Sequence, residues 1–380
     1  MDWNKTVTRR GTPIKLLICG SPCTKWSIAQ KNGREVLPEG IGWELFENCR
    51  IAKEKFQPDF FLYENNKSAA QPIKDAIYSA LGGDKDASVR LTHINSALVS
   101  AQNRERFYVT NFGDIEQPED RGILLRDVLE SGKDLSCREK AYTLTASYGK
   151  AAAWNTLERH QRSMVAEPVG TTVDGKSYCM TAGYAKCSGE NIGNYAAHTL
   201  KKGCKSLVAE PIESEGGVPI KSVSRADGKV YTVYEVRDGK ITIKGKQHSI
   251  KLQDGYYIIR MLTPTECERL QTMPDGYTAA VSNSQRYKAL GNGWTAEVII
   301  HILNHALKDV PRDKELVVLS MYDGIATGRY CLDKMGFTNV KYYAYEIDPY
   351  AIKIAMSNYP DIIQCGDAFK VREDQWKIQI

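Results

Sequence analysis

Short apolar runs alternate with stretches of helical period at both ends of this chain, and that alternation restricts it to a layered α/β fold. Near the N-terminus Pro13–Cys19 reads as an apolar strand, and Asp59–Glu64 as a strand rich in aromatics. Between them Ile41–Phe56 places Ile41, Leu45, Phe46, Cys49 and Ala52 at helical spacing. A helix over Gln71–Leu81 and strands near Val89–Leu98 and Arg106–Phe112 follow. The last third resumes with helices Thr263–Thr272 and Thr295–Leu307, strand Glu315–Tyr322, helix Gly328–Met335, strand Lys341–Glu346, helix Pro349–Asn358 and strand Asp361–Cys365. That order implies βαβ units and a mostly parallel sheet covered by helices.

From Asp134 to Tyr257 the texture changes to short β-like runs separated by Gly, Asp and Lys, such as Lys229–Arg237 and Lys240–Lys244 around Asp238-Gly239. The expected organisation is therefore 1–133 and 259–380 as two parts of one α/β domain, with 134–258 as an inserted small β-rich domain. The insert holds a duplication. Tyr142–Lys150 recurs as Tyr178–Lys186, and Met164–Val169 as Leu207–Ile212. Two copies are too few for a solenoid, which leaves a duplicated recognition element or a purely structural duplication. Ser136–Arg260 carries 19 Lys and Arg against 12 Asp and Glu, so this segment stands at +7 and the remainder of the +5 chain at −2. A basic insert between near-neutral arms suits a nucleic-acid-facing surface, and equally a solvated one.

With 380 residues, 42% of them hydrophobic, the chain is long enough for one large core and a second, smaller unit. No segment approaches the ~20 apolar residues of a membrane span, and the start has no apolar stretch for a signal peptide, so the expectation is a cytoplasmic protein without membrane contact. The ten cysteines form no repeating framework and read as reduced thiols. Cys179, Cys187, His198 and Cys204 match no finger or ribbon spacing, and no metal is expected.

Four constellations carry chemistry. Gly20-Ser21-Pro22-Cys23 follows an apolar strand directly, where α/β folds build their sites, although a lone Cys is more often structural. Phe60–Asn66 ends a strand in Glu64, which otherwise serves as a helix cap. Gln102–Tyr108 begins a strand with Arg104 and Arg106 at alternate positions, on one side of it, where they suit a carboxylate, a phosphate or a base edge. Finally, Leu319–Gly328 joins a strand to a helix through a glycine-containing turn. The next two strands end in Tyr345-Glu346-Ile347-Asp348 and Gln364-Cys365-Gly366-Asp367-Ala368. Such a turn allows close backbone approach, one acid takes ribose hydroxyls and a second accepts from an adenine amino group. The turn is not G-x-G-x-x-G and no phosphate-binding Lys follows, which favours an adenosine carrier without a pyrophosphate. S-adenosyl-L-methionine (AdoMet) fits.

With these residues the chain resembles the DNA (cytosine-5) methyltransferase family over nearly its whole length outside the insert. Gly20–Cys23 resembles the family's Pro-Cys motif, Tyr63–Asn65 its Glu-Asn motif and Gln102–Arg106 its Gln-x-Arg-x-Arg motif. Arg260–Gln271 with Pro274 and Tyr277, then Gly291–Thr295, resemble the two motifs after the target-recognition domain. Tyr322–Gly328, Glu346 and Asp367 resemble the AdoMet motifs, and the turn Asp323–Gly328 is most similar to that of the animal de novo enzymes. Thr24 stands where the family usually has Gln or Asn, and Asn66 where it usually has Val. The AdoMet motifs come last instead of first, so the order looks circularly permuted.

The resemblance implies a Rossmann-like AdoMet-dependent methyltransferase sheet with an inserted target-recognition domain, acting on double-stranded DNA. Cys23 would add to carbon 6 of an extruded cytosine, Glu64, protonated or sharing a proton, would hydrogen-bond ring nitrogen 3, Arg106 would contact the base oxygen and Arg104 would hold the active-site loop or backbone. The loop Thr24–Gly40, with hinges at Gly33 and Gly40, would close over the nucleotide. Tyr322, Asp323, Gly324, Ile325, Ala326, Thr327, Glu346, Ile347, Asp367, Ala368 and the turn Asn292-Gly293-Trp294 would form the AdoMet pocket. For Trp294 the competing reading is a core aromatic at a helix start. A restriction endonuclease is a candidate partner, and a bacterial or phage-infected cell the expected setting. The rivals are a catalytically silent DNA-binding member and an RNA cytosine methyltransferase.

Overall fold

The computed structural model describes residues 12–27, 33–168, 222–224 and 230–378. The second copy of the duplication, the set Cys179, Cys187, His198 and Cys204, and residues 28–32 of the loop Thr24–Gly40 lie outside the described residues.

The chain starts with β1 (Ile14–Cys19), α1 (Gly40–Phe56), β2 (Phe60–Asn66), α2 (Gln71–Ala80), β3 (Arg90–Asn95) and β4 (Glu105–Thr110). Next come β5 (Lys133–Asp134), α3 (Ala153–Arg159), β6 (Met164–Pro168), β7 (Ser222–Ser224), β8 (Val230–Arg237), β9 (Lys240–Ile243), β10 (Lys246–Ser249) and β11 (Gly255–Met261). The last group is α4 (Pro264–Leu270), α5 (Asn283–Asn292), α6 (Ala296–Leu307), β12 (Leu316–Met321), α7 (Thr327–Lys334), β13 (Val340–Tyr345), α8 (Pro349–Asn358) and β14 (Ile363–Gly366). Two compact units result, one from Met1–Ile123, Leu144–Ala146 and Cys267–Ile380, the other from Leu124–Thr143 and Ser147–Glu266.

The first unit is built on a 7-stranded sheet in the order β14-β13-β12-β1-β2-β4-β3. All neighbours from β14 to β2 pair in parallel, whereas β4 is antiparallel to both β2 and β3. Strand β12 is buried at every position, as a central parallel strand must be when helices cover both faces. Successive residues of β1 serve opposite faces. Leu17, with Phe61, Leu319 and Tyr343, packs in one cluster with Phe46, Cys49 and Ala52 of α1. Ile18 faces α7 so closely that a Cβ on Gly328 would fall 2.1 Å from its Cδ1.

Register aligns the strand ends that matter. Cys19 pairs with Met321 and Tyr63, Met321 pairs with Tyr345, and Tyr345 pairs with Gly366. The segments leaving β1, β12, β13 and β14 therefore all emerge at one carboxyl edge, and Glu64 follows Tyr63 there. Because β4 runs the other way, its start, not its end, lies at this edge, with Arg106 opposite Asn66. Strand β3 stops at Asn95 short of the expected Leu98, because the Asn95 side chain accepts from the Ala97 and Arg104 amides, each at 3.0 Å, and opens a short 3-10 turn.

Among its described residues the second unit carries a 7-stranded antiparallel sheet in the order β10-β9-β8-β11-β6-β5, with β7 on β8. Asp238 and Gly239, with φ of 52° and 65°, turn the β8–β9 hairpin, as the Asp-Gly pair favours. Arg260 is buried between Glu167, at 2.5 Å, and Glu266, at 2.8 Å.

Candidate active site

A cavity of about 520 Å³ opens at the carboxyl edge of the first unit's sheet. Its lining includes all but one of the residues expected to form the catalytic and cofactor sites; Ala326 is the exception, fully buried behind it.

Cys23 sits four residues past β1 on a segment fixed by buried hydrogen bonds. Asn65 Nδ2 donates to Ser21 O at 2.9 Å and reaches Tyr63 Oη at 3.0 Å, while Ser21 Oγ and Tyr63 Oη lie 2.7 Å apart. The Cys23 carbonyl accepts from the amides of Trp26 and Ser27, both at 3.0 Å, which turns the chain sharply after the thiol. Burial pushes the Cys23 thiol above its ordinary value; Arg106 pulls it down, Glu64 pushes it up and Arg104 pulls it down. The thiolate is thus formed only against desolvation, and the cation that most favours it is Arg106.

Glu64, 8% exposed, is gripped at both oxygens. Arg106 Nε stands 3.0 Å from Oε1, and Trp294 Nε1 donates to Oε2 at 2.9 Å. Arg104 takes a different course. Its buried guanidinium donates to three carbonyls, Leu144 O at 2.8 Å, Gly291 O at 3.2 Å and Gly293 O at 2.8 Å. Burial, and then the charge of Arg106, pull it down to about 9, which leaves it cationic at neutral pH.

The opposite wall is the turn after β12. Tyr322, Gly324 and Ala326 have φ of 59°, 64° and 62°, three left-handed residues at alternate positions that make the turn before α7 tight. Asp323 Oδ1 accepts from Ser320 Oγ and Tyr342 Oη, both at 2.7 Å, and its enclosed Oδ2 has no hydrogen-bond partner. Burial raises this carboxyl to about 6, the two hydroxyls oppose the rise and Glu346 adds to it. Glu346 Oε2 accepts from Gly324 N at 2.9 Å, and its Oε1 from the Ile347 and Asp348 amides at 2.8 Å each. Asp367 is exposed beside Phe369, and Ile347, 70% exposed, projects from the next strand end. Two acids, a tight turn and exposed apolar side chains around a cavity of this size suit an adenosine-bearing ligand.

Helix α5, absent from the sequence reading, supplies Gln285 and Lys288 to the lining, and Lys288 Nζ pairs with Asp348 at 2.7 Å. The signal in the sequence was faint: only Tyr287, Leu290 and Gly291 of its ten residues are buried. The hydrogen bonds among Ser21, Tyr63 and Asn65 had no signal beyond residue type. Among the described residues no group of His, Cys, Asp and Glu is arranged to hold a metal ion, and no helix is long and apolar enough to cross a membrane.

A family model described as C-5 cytosine-specific DNA methylase matches residues 2–308. The orphan methyltransferase M.SPRI of Bacillus phage SPR is 24% identical, covering 80% of this chain and 85% of its own. The type II methyltransferase M.HpaII of Haemophilus parainfluenzae is also 24% identical, covering 73% of this chain and 67% of its own. Among solved structures, a methyltransferase of Entamoeba histolytica aligns at 14% identity over 78% of each chain with a TM-score of 0.37, too distant to argue from.

Proposed function

The chain belongs to the C-5 cytosine-specific DNA methylase family, and on that premise we propose that it methylates carbon 5 of a cytosine in double-stranded DNA through a transient bond to Cys23. Members of the family use AdoMet as methyl donor. The observation that carries the proposal is the meeting of Cys23, Glu64 and Arg106 with the Asp323 turn, Glu346 and Asp367 around one cavity.

Cytosine carbon 5 is a poor nucleophile until the ring's conjugation is broken. Attack of the Cys23 thiolate on carbon 6 breaks it and makes carbon 5 enamine-like. Arg106 favours that thiolate and holds Glu64, whose carboxyl group, protonated or sharing a proton, donates that proton in a hydrogen bond to ring nitrogen 3 and stabilises the negative charge that develops there. AdoMet, when bound, supplies an electrophilic methyl group to carbon 5. Transfer of the carbon 5 proton to water, departure of the Cys23 sulfur as thiolate and return of the nitrogen 3 proton to Glu64 then restore the aromatic ring. Arg104, whose guanidinium donates to the carbonyls of Leu144, Gly291 and Gly293, positions the segment Gly291–Gly293. Glu346 and Asp367 suit the ribose and adenine of the cofactor, with Ile347 and Phe369 as apolar flanks. The target base must leave the duplex to enter, which costs a few kcal/mol, least where pairing is weak.

The second unit is assigned the reading of the DNA, on its basic composition and antiparallel architecture. The motif order is assigned to circular permutation. Support comes from the parallel pairing of β1 with β12, adjacent in the sheet though Ile14 and its partner Leu316 are 302 residues apart, which lets a link from the C-terminal strand to β1 restore the usual order without changing the sheet.

DNA is preferred over RNA on the family's description. The test is transfer of labelled methyl groups from AdoMet to mixed-sequence duplex DNA and, separately, to transfer RNA. Incorporation into DNA alone is expected; incorporation into RNA alone overturns the assignment.

A further inference from the structure

We infer that Trp294 is a positioning residue for Glu64: its indole N–H holds the carboxylate oxygen that Arg106 leaves free. The inference rests on the function proposed above and adds a residue that the Glu-Asn and Gln-x-Arg-x-Arg resemblances do not contain.

A carboxylate gripped at one oxygen still turns about its last bond, because that torsion is broad. Glu64 is gripped at both, by Arg106 Nε at 3.0 Å and by Trp294 Nε1 at 2.9 Å, so the plane of the group is fixed. At 8% exposure, the carboxylate offers little surface through which solvent could take over either bond. The indole nitrogen is a donor only, so it keeps Oε2 an acceptor and cannot reverse the bond as a hydroxyl or amide would.

The placement of Trp294 is itself over-determined. Gly20 leaves room for the ring: a Cβ there would stand 2.9 Å from Cζ2 and 3.1 Å from Nε1. The preceding carbonyl, Gly293 O, accepts from Arg104 at 2.8 Å and from Gln271 Nε2 at 3.3 Å. The following residue, Thr295, donates through Oγ1 to Gln271 Oε1 at 2.8 Å. A side chain needed only as a hydrophobic wall would not require its nitrogen aimed at a carboxylate beside the reactive thiol. Arg104 thus acts on Glu64 at second hand, by holding the peptide that carries Trp294.

The test uses Trp294→Phe, which keeps an aromatic wall and deletes the N–H. Duplex DNA of mixed sequence made with 5-fluorocytosine serves as the probe, because fluorine cannot leave carbon 5 as a cation and the Cys23 adduct persists for counting on a denaturing gel. AdoMet affinity by calorimetry and the unfolding temperature are measured on the same proteins. At saturating AdoMet, losing one hydrogen bond to a charged group should slow adduct formation about tenfold or more while the unfolding temperature is unchanged. Gly20→Ala, which displaces the ring and leaves the indole in the chain, should give the same loss. Adduct formation at the unaltered rate in Trp294→Phe at saturating AdoMet, or a slowing matched by a lower unfolding temperature, would overturn the inference and leave the proposed function standing. No adduct in the unaltered protein would overturn both.

Discussion

Arg106 Nε stands 3.0 Å from Glu64 Oε1, and the two side chains are 11% and 10% exposed. The pair exists because β4 runs against β2, which brings the start of one strand beside the end of the other. Removing one partner leaves the other nearly buried and uncompensated. Breaking a fully buried pair costs about 3–5 kcal/mol, and beside an open cavity we expect about 2 kcal/mol for Arg106→Ala by urea denaturation. Adduct formation should fall further than stability does, since the thiolate loses its main cationic support. A variant with near-normal adduct formation would remove Arg106 from the account.

Arg104 makes a different kind of demand. Its planar fork meets three carbonyls that a single ammonium cannot reach together. Arg104→Lys keeps the charge and should still cost about 1–3 kcal/mol in stability, by the same assay, through unpaired carbonyls. If charge alone mattered, the substitution would be silent.

The Cys23 thiol lies above its ordinary value because of burial, so its thiolate fraction grows throughout the neutral range. Initial rates of adduct formation at saturating DNA should climb with pH and still be climbing near pH 8.5, about where an ordinary thiol is half ionised. A plateau already reached at pH 7 would mean that the thiol is activated by something other than Arg106.

Asp323 gives a stability signature. Its carboxyl is raised to about 6 in the folded chain, so between the ordinary carboxylate range and that value the folded state binds more protons than the unfolded one. Stability from this group is full below pH ~4 and is lost as pH rises through ~6, at up to about 1.4 kcal/mol per unit. Asp323→Asn should lack this loss, gaining on the parent by about 1–3 kcal/mol between pH 4 and 7 in denaturant titrations. Parallel stability curves for the two proteins would contradict the assignment.

Much of this site was legible in the sequence because strand ends are legible. Apolar runs closing on Cys23, Glu64, Asp323, Glu346 and Asp367 locate one sheet edge, and a parallel sheet gathers whatever follows its strands. The direction of β4 was not legible, since an isolated run from Glu105 to Thr110 looks the same in either sense and only its pairing with β2 and β3 settles it. Helix α5 was hidden by its polar surface and by Gly291-Asn292 at its end, and its place is fixed by a distant ion pair between Arg286 and the buried Glu268, at 2.8 Å. The bond from Trp294 to Glu64 joins residues 230 positions apart and leaves no local trace.

The central claim is that Cys23 is the nucleophile of a DNA cytosine-5 methyltransferase. Its most direct test is transfer of labelled methyl groups from AdoMet to mixed-sequence duplex DNA by the unaltered protein and by Cys23→Ser, with the product nucleosides separated. The account predicts label in 5-methylcytosine with the first protein and none with the second. Label in 5-methylcytosine from Cys23→Ser at a comparable rate would contradict it.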